Sequence, residues 1–188
     1  MKTIDQIVAY AAKVHGYMFE PELRWLAETA RALPGPGAWC EVGCWQGRSA
    51  SAVIGGLPAG SRLVLVDNFS GPTTREMPNK KACRDRIEAE MVRMRTFAPG
   101  VTVTLAVGES DAIARLYPPA TFDVVFIDGD HSYAKVLADI RGWTRTLKPA
   151  GLLCGHDFTN KCGVEPAVRE LLPQFAQVDG TSLWWARC

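Results

Sequence analysis

The sequence predicts a doubly wound α/β fold, in which a mostly parallel seven-stranded sheet carries helices on both faces. The first observation is a series of short apolar runs, typical of strands that are buried on both faces. The second is that segments with apolar residues at helical spacing separate these runs. Crossovers between parallel strands are almost always right-handed, which winds the helices onto both sides of the sheet.

Five apolar runs predict parallel strands, and two shorter runs near the end of the sequence predict closing strands. These runs cover residues 38–43, 62–67, 101–107, 122–128 and 151–155, followed by 175–179 and 182–187. The adjacent residues Trp184 and Trp185 should point to opposite faces of the last strand.

Two helices are predicted before the first strand, and five more follow it. They lie near residues 3–14 and 20–33, and then at 47–57, 80–96, 110–116, 133–147 and 164–172. In the helix at 133–147, Ser132 is the expected N-cap, Leu147 belongs to the apolar face, and "LKPAG" ends the helix. We expect one domain over residues 1–188, with N-terminal helices at 1–35 and the α/β core at 36–188.

Composition indicates the kind of protein but no particular ligand. The 188 residues are 47% hydrophobic with a net charge of +1, so nothing in the charge predicts a nucleic-acid partner. No stretch approaches the roughly 20 apolar residues that cross a bilayer, and charged residues interrupt the first apolar run. The six cysteines form no C-x-x-C pair and are expected in the core. We expect a cytoplasmic protein with no membrane partner.

Ligands of doubly wound sheets bind beyond the carboxyl ends of the strands. The first strand ends in "EVGCWQGRS" (41–49), a glycine-bearing turn that lets a ligand approach the backbone closely. Gly43 is not followed by the G-x-G-x-x-G pattern of dinucleotide sites, which favours a nucleoside ligand without a pyrophosphate. The alternative is a tight packing turn.

The second and third strands also end in polar residues. Asp67 suits hydrogen bonds to ribose hydroxyls, and helix capping is its alternative role. Glu109 and Ser110 could meet an adenine edge, or Ser110 could only cap the next helix.

Strands four and five end in acids and histidines, namely "DGDH" (128–131) and "HD" (156–157). Neighbouring strands lie about 4.8 Å apart, so Asp128 and Asp157 should share one rim, with Asp130 and His156 close by. Crowded carboxylates repel one another unless a proton or a cation relieves them, and Mg²⁺ prefers such oxygen ligands. The alternative is that these groups cap helices and bind a ligand without metal. His131 suits a general base at neutral pH, or it only hydrogen-bonds its neighbours at a helix start.

The segment "FIDGDHSYAKVLADIRGWTRTLKPAGLLCGHDF" (126–158), together with "EVGCWQGRS", resembles class I S-adenosylmethionine-dependent methyltransferases. More narrowly, residues 20–188 resemble the bacterial set that includes macrocin O-methyltransferase and the cephalosporin-cluster methyltransferase-like proteins. Catechol O-methyltransferase is a more distant relative. The resemblance implies a Rossmann-like methyltransferase fold and metal-assisted O-methylation of a small-molecule hydroxyl, on a sugar, a phenol or a natural-product intermediate. It also implies homo-oligomers, because relatives often associate.

The resemblance also implies roles for individual positions. His131 and Asp128 would be catalytic, and Asp128, His156 and Asp157 would bind a divalent cation, Mg²⁺ or Mn²⁺. His156 stands where these enzymes usually carry an acid, and histidine favours Mn²⁺, Fe²⁺ or Zn²⁺ over Mg²⁺. The positions that would contact S-adenosylmethionine are Glu41, Gly43, Trp45, Gly47, Ser49, Asp67, Glu109, Ser110 and Asp128.

Three alternatives stay open at this point. A non-catalytic S-adenosylmethionine-binding protein would share all of these cofactor residues. An NAD-dependent oxidoreductase is disfavoured by the missing third glycine and by the absence of a Tyr-x-x-x-Lys pair. A base-modifying nucleic-acid methyltransferase of the amino-methylating kind would carry (Asp/Asn)-Pro-Pro-(Tyr/Phe) where this sequence has "DGDH". The basic stretch 78–95 is either a solvated helix face or a lid over an anionic or sugar-like acceptor.

Overall fold

The computed structural model of the chain describes residues 2–70 and 80–188. Seven strands within these ranges form one sheet. They are β1 (Ala38–Val42), β2 (Arg62–Asp67), β3 (Thr102–Val107), β4 (Phe122–Ile127), β5 (Leu147–Gly155), β6 (Ala176–Gln177) and β7 (Trp184–Arg187).

The strand order is β3-β2-β1-β4-β5-β7-β6, with β1 between β2 and β4. β1 to β5 pair in parallel, and β7 is antiparallel to both β5 and β6. The predicted doubly wound, mostly parallel, seven-stranded sheet is therefore confirmed. Because the first five strands are parallel, their carboxyl ends meet at one rim, and the order reverses between β1 and β4.

Seven helices in the described parts of the chain cover both faces of this sheet. They are α1 (Ile4–Ala11), α2 (Glu20–Arg31), α3 (Arg48–Gly56), α4 (Lys80–Phe97), α5 (Ser110–Ala114), α6 (Tyr133–Thr144) and α7 (Val164–Leu171). Residues of α1 to α4 pack against one face of the sheet, and residues of α5 to α7 pack against the other.

Alternation along the strands explains why both faces need a cover. In β2, Leu63 and Leu65 belong to one apolar cluster, while Val64 and Val66 belong to the other. The last strand behaves in the same way, since Trp184 and Trp185 join opposite clusters as predicted. A strand that is apolar on both sides is stable only between two layers of helices.

The predicted boundary between α6 and β5 is wrong. The helix ends at Thr144 instead of continuing to 147, and β5 starts at Leu147 instead of 151. Leu147 pairs with Phe122 of β4, after which the register shifts, and Ala150 has a positive φ of 62°. The "LKPAG" segment is thus a bulged strand entry, and a bulge breaks the simple pattern that predicts strands.

Ile87, Met91 and Met94 lie at helical spacing along α4 and are all buried, with Ile87 and Met94 inaccessible to solvent. Residues 78–79 of the predicted basic stretch lie outside the described residues. Across the described parts of the chain, no helix combines the length and the apolar character that crossing a bilayer requires.

Candidate functional site

The turn after β1 lies directly against the end of β4. Gly43 has a φ of +88°, and its N–H donates to the carbonyl oxygen of Val66 at 2.8 Å. A Cβ at Gly43 would lie 2.1 Å from the carbonyl oxygen of Asp128, so only glycine fits there. Packing alone explains why this position is glycine. The same packing holds the turn after β1 beside the acidic rim, which is formed by Asp128 and Asp157 at the ends of β4 and β5.

Glu41 places a fully buried carboxyl group at the end of β1. The hydroxyl of Ser49 donates to its Oε1 at 2.5 Å, whereas its Oε2 has no hydrogen-bond partner among the described residues. Burial raises the pKa of Glu41 to about 8, with the charges of Asp128 and Asp67 acting in the same direction against the Ser49 bond. The free carboxyl group is therefore mainly protonated at neutral pH, and a cationic hydrogen-bond donor beside Oε2 would favour its charged form.

The carboxylate of Asp67 links the turn after β1 to the turn that follows β2. Its Oδ2 accepts the backbone N–H of Trp45 at 2.7 Å, and its Oδ1 accepts that of Phe69 at 2.7 Å. Burial raises the pKa of Asp67 against the effect of these bonds. In the described residues its carboxylate thus organises turns and caps no helix, and each oxygen keeps a second lone pair for a ligand hydroxyl.

Trp45 adds an aromatic surface beside the same turn. Its ring stacks on that of Tyr17 with centroids 5.5 Å apart and planes 6° apart, and the ring of His15 meets it edge-on at 5.2 Å. Tyr17 is 60% exposed, so part of this surface faces solvent. Sequence reasoning missed the contribution of the N-terminal segment to this surface.

Glu109 and Ser110 lie at the start of α5. Glu109, not Ser110, is the N-cap, and its Oε1 accepts from Asn68 at 2.9 Å. The hydroxyl oxygen of Ser110 accepts from the indole N–H of Trp143 at 2.8 Å. The capping role that was the alternative for Ser110 is therefore wrong, and Ser110 instead ties α5 to α6.

The predicted meeting of Asp128 and Asp157 is observed, because β4 and β5 are hydrogen-bonded neighbours. His131 lies between them, with its Nε2 3.1 Å from Oδ2 of Asp157 and 3.8 Å from Oδ1 of Asp128. One potential ligand atom from each of these three residues lies within 4.8 Å of the other two. The three together could hold a divalent cation. Asp130 is exposed, and its Oδ1 accepts the backbone N–H of Ser132 in a local turn.

The electrostatics of this cluster follow from burial and from the two histidines. Burial raises the pKa of Asp128, although the nearby imidazole of His131 opposes this. Burial also acts to raise the pKa of Asp157, but the hydrogen bond and the charge of His156 lower it overall. The nearby carboxylate of Asp128 raises the pKa of His131.

The two ring nitrogens of His156 contact different groups. Its Nε2 lies 3.0 Å from Oε1 of Glu22 and 2.9 Å from the hydroxyl of Ser182. Its Nδ1 lies 3.3 Å from Oδ2 of Asp157 and 3.7 Å from Oδ1 of Asp128. His131 and His156 therefore approach the two acids at similar distances, between 3.1 and 3.8 Å, and His131 completes the group of potential ligand atoms. Metal binding by His156 stays a prediction.

Burial lowers the pKa of His156, but the surrounding carboxylates outweigh it. The hydrogen bonds with Asp157 and Glu22 come first among these, and together with the charge of Asp128 they raise the pKa to about 10. Glu22 was missed by sequence reasoning. The one signal was its position on α2, four residues before Leu26, where helical spacing places a charged residue on the buried face.

A narrow cleft opens beside the cluster. It is lined by Ile127, Asp128, Gly129, Asp130, His131, Val136, His156, Val164 and Trp184. Asp128, His131 and His156 thus border both the cleft and the acidic cluster.

Solved structures of low sequence identity share this fold. CalS11, a TDP-rhamnose 3'-O-methyltransferase of calicheamicin biosynthesis, is 15% identical with a TM-score of 0.66, over 98% of this chain and 92% of its own. An O-methyltransferase from Bacillus cereus in complex with SAH is 18% identical with a TM-score of 0.64, over 97% and 86%. TomG from Streptomyces achromogenes, an O-methyltransferase of tomaymycin synthesis in complex with SAM, is 17% identical with a TM-score of 0.67, over 96% and 88%.

A family profile described as "Methyltransferase domain" matches residues 40–158. The match runs from β1 to just beyond β5, and so includes the β1 turn, Asp67 and the acidic rim. It covers more than half of the chain. The chain therefore belongs to the methyltransferase domain family.

Proposed function

We propose that this chain is an S-adenosylmethionine-dependent methyltransferase that methylates a hydroxyl group of a small molecule. The observation that carries the proposal is the cluster of Asp128, His131 and Asp157 beside the β1 turn of a methyltransferase domain. The O-methyltransferase names of CalS11, the B. cereus protein and TomG support a hydroxyl acceptor.

The residues of the β1 turn fit the cofactor. The unpartnered Oε2 of Glu41 suits the ammonium group at the methionine end of S-adenosylmethionine, with Gly43, Trp45, Gly47 and Ser49 around it. The partly exposed carboxylate of Asp67 would accept hydrogen bonds from the ribose. Glu109 and Ser110 would meet the adenine. When bound, the cofactor supplies a methyl group on a sulfonium, which is open to in-line attack.

His131 is assigned as the general base. Its side chain is 45% exposed, more than that of either acid beside it, so an acceptor hydroxyl can reach it. It would take the proton from that hydroxyl as the oxygen attacks, while the carboxylates of Asp157, 3.1 Å from its Nε2, and of Asp128, 3.8 Å away, hold the imidazole in position. Positioning and proton removal are the two tasks that methyl transfer leaves to the protein.

Asp128 and Asp157 would hold a divalent cation in this proposal. A cation there would orient the acceptor hydroxyl and lower its pKa. The third position of the observed cluster is His131, which can serve as a base only if its nitrogen is not bound to the metal. Measuring cation binding without His131 distinguishes the two roles.

The proposal extends to the acceptor, the cellular compartment and the partners. The acceptor would be a sugar, a phenol or a natural-product intermediate, methylated in the cytoplasm by a single methyltransferase domain. No nucleic-acid or membrane partner is proposed.

Titration calorimetry with S-adenosylmethionine, S-adenosylhomocysteine and NAD⁺ tests the cofactor. We expect the first two to bind and NAD⁺ not to bind, and the reverse would overturn the proposal. Transfer of a labelled methyl group to a panel of TDP-sugars, catechols and simple phenols, with Mn²⁺, Mg²⁺ or EDTA, then tests the reaction. Cofactor binding without transfer to any acceptor would favour the non-catalytic alternative.

A further inference from the structure

Glu22 belongs to the second helix, before the sheet begins, yet its carboxylate is buried at the acidic rim. Only 4% of the residue is exposed. Its Oε2 accepts the backbone N–H of Phe19 at 2.9 Å, which fixes the start of α2. A buried carboxylate is stable only where donors replace the water it has lost.

Oε1 of Glu22 is where three potential donors meet. The backbone N–H and the hydroxyl of Ser182 lie at 3.2 Å and 3.0 Å, and Nε2 of His156 lies at 3.0 Å. Ser182 precedes β7 and His156 follows β5, so one oxygen atom joins α2 to the end of β5 and to the start of β7 beside it. The hydroxyl of Ser182 also lies 2.9 Å from Nε2 of His156, which gives that nitrogen two partners.

The opposite edge of the His156 ring carries Nδ1 and faces Asp157 and Asp128. In the proposed function these two acids would hold the cation that orients the acceptor hydroxyl. Because Nε2 is held by Glu22 and Ser182, only Nδ1 can face Asp157, at 3.3 Å. The same Oδ2 atom of Asp157 lies 3.1 Å from Nε2 of His131. A continuous series of contacts therefore runs from Glu22 through His156 and Asp157 to His131.

We propose that Glu22 is a positioning residue of the methyl-transfer site, which acts by fixing the ring of His156 and through it the carboxylate of Asp157 beside His131. The inference rests on the proposed function, since His131 is the base only in a methyltransferase. It makes the N-terminal helical part a component of the catalytic site and not only a cover for the core.

Nuclear magnetic resonance of the histidine rings tests this series of contacts directly. The chain has three histidines, so each ring can be assigned with single His→Gln variants. We expect Glu22→Ala to shift the ring nitrogen resonances of both His156 and His131. The matched control is Glu20→Ala, on the same helical turn, where an exposed carboxylate pairs with Arg24 and should leave all three rings unchanged.

Two milder variants keep the test informative where Glu22→Ala does not fold. Ser182→Ala removes one of the two partners of Nε2, and Glu22→Gln keeps an oxygen that can accept from it. We expect Ser182→Ala to shift His156 strongly and His131 weakly, and Glu22→Gln to restore most of the wild-type spectrum. Unchanged His156 and His131 resonances in Ser182→Ala and in any folded Glu22→Ala protein would overturn the proposal.

Kinetics with an acceptor from the methyl-transfer panel provide the second measurement. We expect Glu22→Ala to lower kcat at least tenfold, with the affinity for S-adenosylhomocysteine within twofold of wild type and partial rescue by Glu22→Gln. An equal loss of cofactor affinity would point to general unfolding and contradict a positioning role. The ring resonances are measured without ligand, so a failure of the contact series is distinguishable from a failure of methyl transfer itself.

Discussion

Nε2 of His131 lies 3.1 Å from Oδ2 of Asp157, although the two residues follow different strands. The nearby carboxylate of Asp128 raises the pKa of His131, burial lowers it, and the charge of Asp157 raises it again, with a net rise above 6.5. The imidazole is thus held in place between two acids and keeps its proton to a higher pH than a free histidine does.

Replacing His131 by alanine should abolish most of the turnover and leave cofactor binding intact. A general base contributes about 10²- to 10⁴-fold to a rate, so kcat should fall by that factor. Because only the neutral imidazole accepts a proton, wild-type activity should rise with pH through a pKa above 6.5, and the variant should lose this rise. The measurement is a kcat–pH profile together with calorimetry for S-adenosylhomocysteine.

Arg141→Ala is the control for that variant, since Arg141 lies on α6, the helix that follows His131, and pairs with the exposed Glu170. It should retain wild-type kcat. Equal turnover in His131→Ala and Arg141→Ala would remove the base role from His131.

Replacing Asp157 by asparagine should weaken cation binding at the rim. Loss of one carboxylate from a site with two reduces the charge that attracts a hard cation. We expect Mn²⁺ affinity, measured by electron paramagnetic resonance, to fall at least tenfold, and His131→Ala to retain it within about threefold if the histidine is the base and not a ligand. Millimolar or weaker Mn²⁺ binding by the wild type would contradict the cation part of the proposal.

The sheet could be predicted from the sequence because its strands are buried on both faces, which leaves a clear apolar pattern between helical segments. The same topology predicts that Asp128 and Asp157 converge, since each ends one of two neighbouring parallel strands. The start of β5 could not be predicted, because Pro149 and the positive φ of Ala150 interrupt the pattern at a bulge.

The contacts of His156 also could not be predicted from the sequence pattern. Its partners Glu22 and Ser182 come from a helix before the sheet and from a turn after it. Local spacing contains no information on how α2 packs against the end of β5. The prediction of His156 as a metal ligand beside the acids therefore lacked the two contacts that its second nitrogen makes.

Replacing Gly43 by alanine should destabilise the protein strongly. The new Cβ would lie 2.1 Å from the carbonyl oxygen of Asp128, at a φ of +88°. A strained backbone costs on the order of 1–3 kcal/mol by itself, and the clash must add to this by moving the β1 turn or the end of β4. Urea unfolding should show the loss, and calorimetry should show weakened S-adenosylhomocysteine binding.

Gly180→Ala is the matched control, because Gly180 also has a positive φ, of 71°, but has open space where its Cβ would lie. It should show only the backbone cost, on the order of 1–3 kcal/mol. Equal losses in the two variants would mean that the close approach of Gly43 to Asp128 does not contribute to stability.

Replacing Glu41 by glutamine should stabilise the free protein and weaken cofactor binding. Burial, the largest cause, raises the pKa of Glu41 from 4.5 to about 8, so the folded state holds this proton more tightly than the unfolded state does. As pH rises from 4.5 to 8, the unfolded state loses the proton first, and the free energy of unfolding decreases across this window. Glutamine removes the ionisation, so its advantage over wild type should grow with pH and reach about 2–4 kcal/mol near pH 8.5.

Binding should change in the opposite direction, because a neutral amide cannot replace a carboxylate that pairs with the ammonium group of the cofactor. A hydrogen bond to a charged group contributes about 1.5–3 kcal/mol, so affinity for S-adenosylhomocysteine should fall at least tenfold. Urea unfolding at pH 5 and pH 8.5 and calorimetry provide the two measurements, with the exposed Glu28→Gln as control for both. A variant that gains no stability at pH 8.5, or that binds as tightly as wild type, would mean that the buried carboxylate of Glu41 is not kept for the ligand.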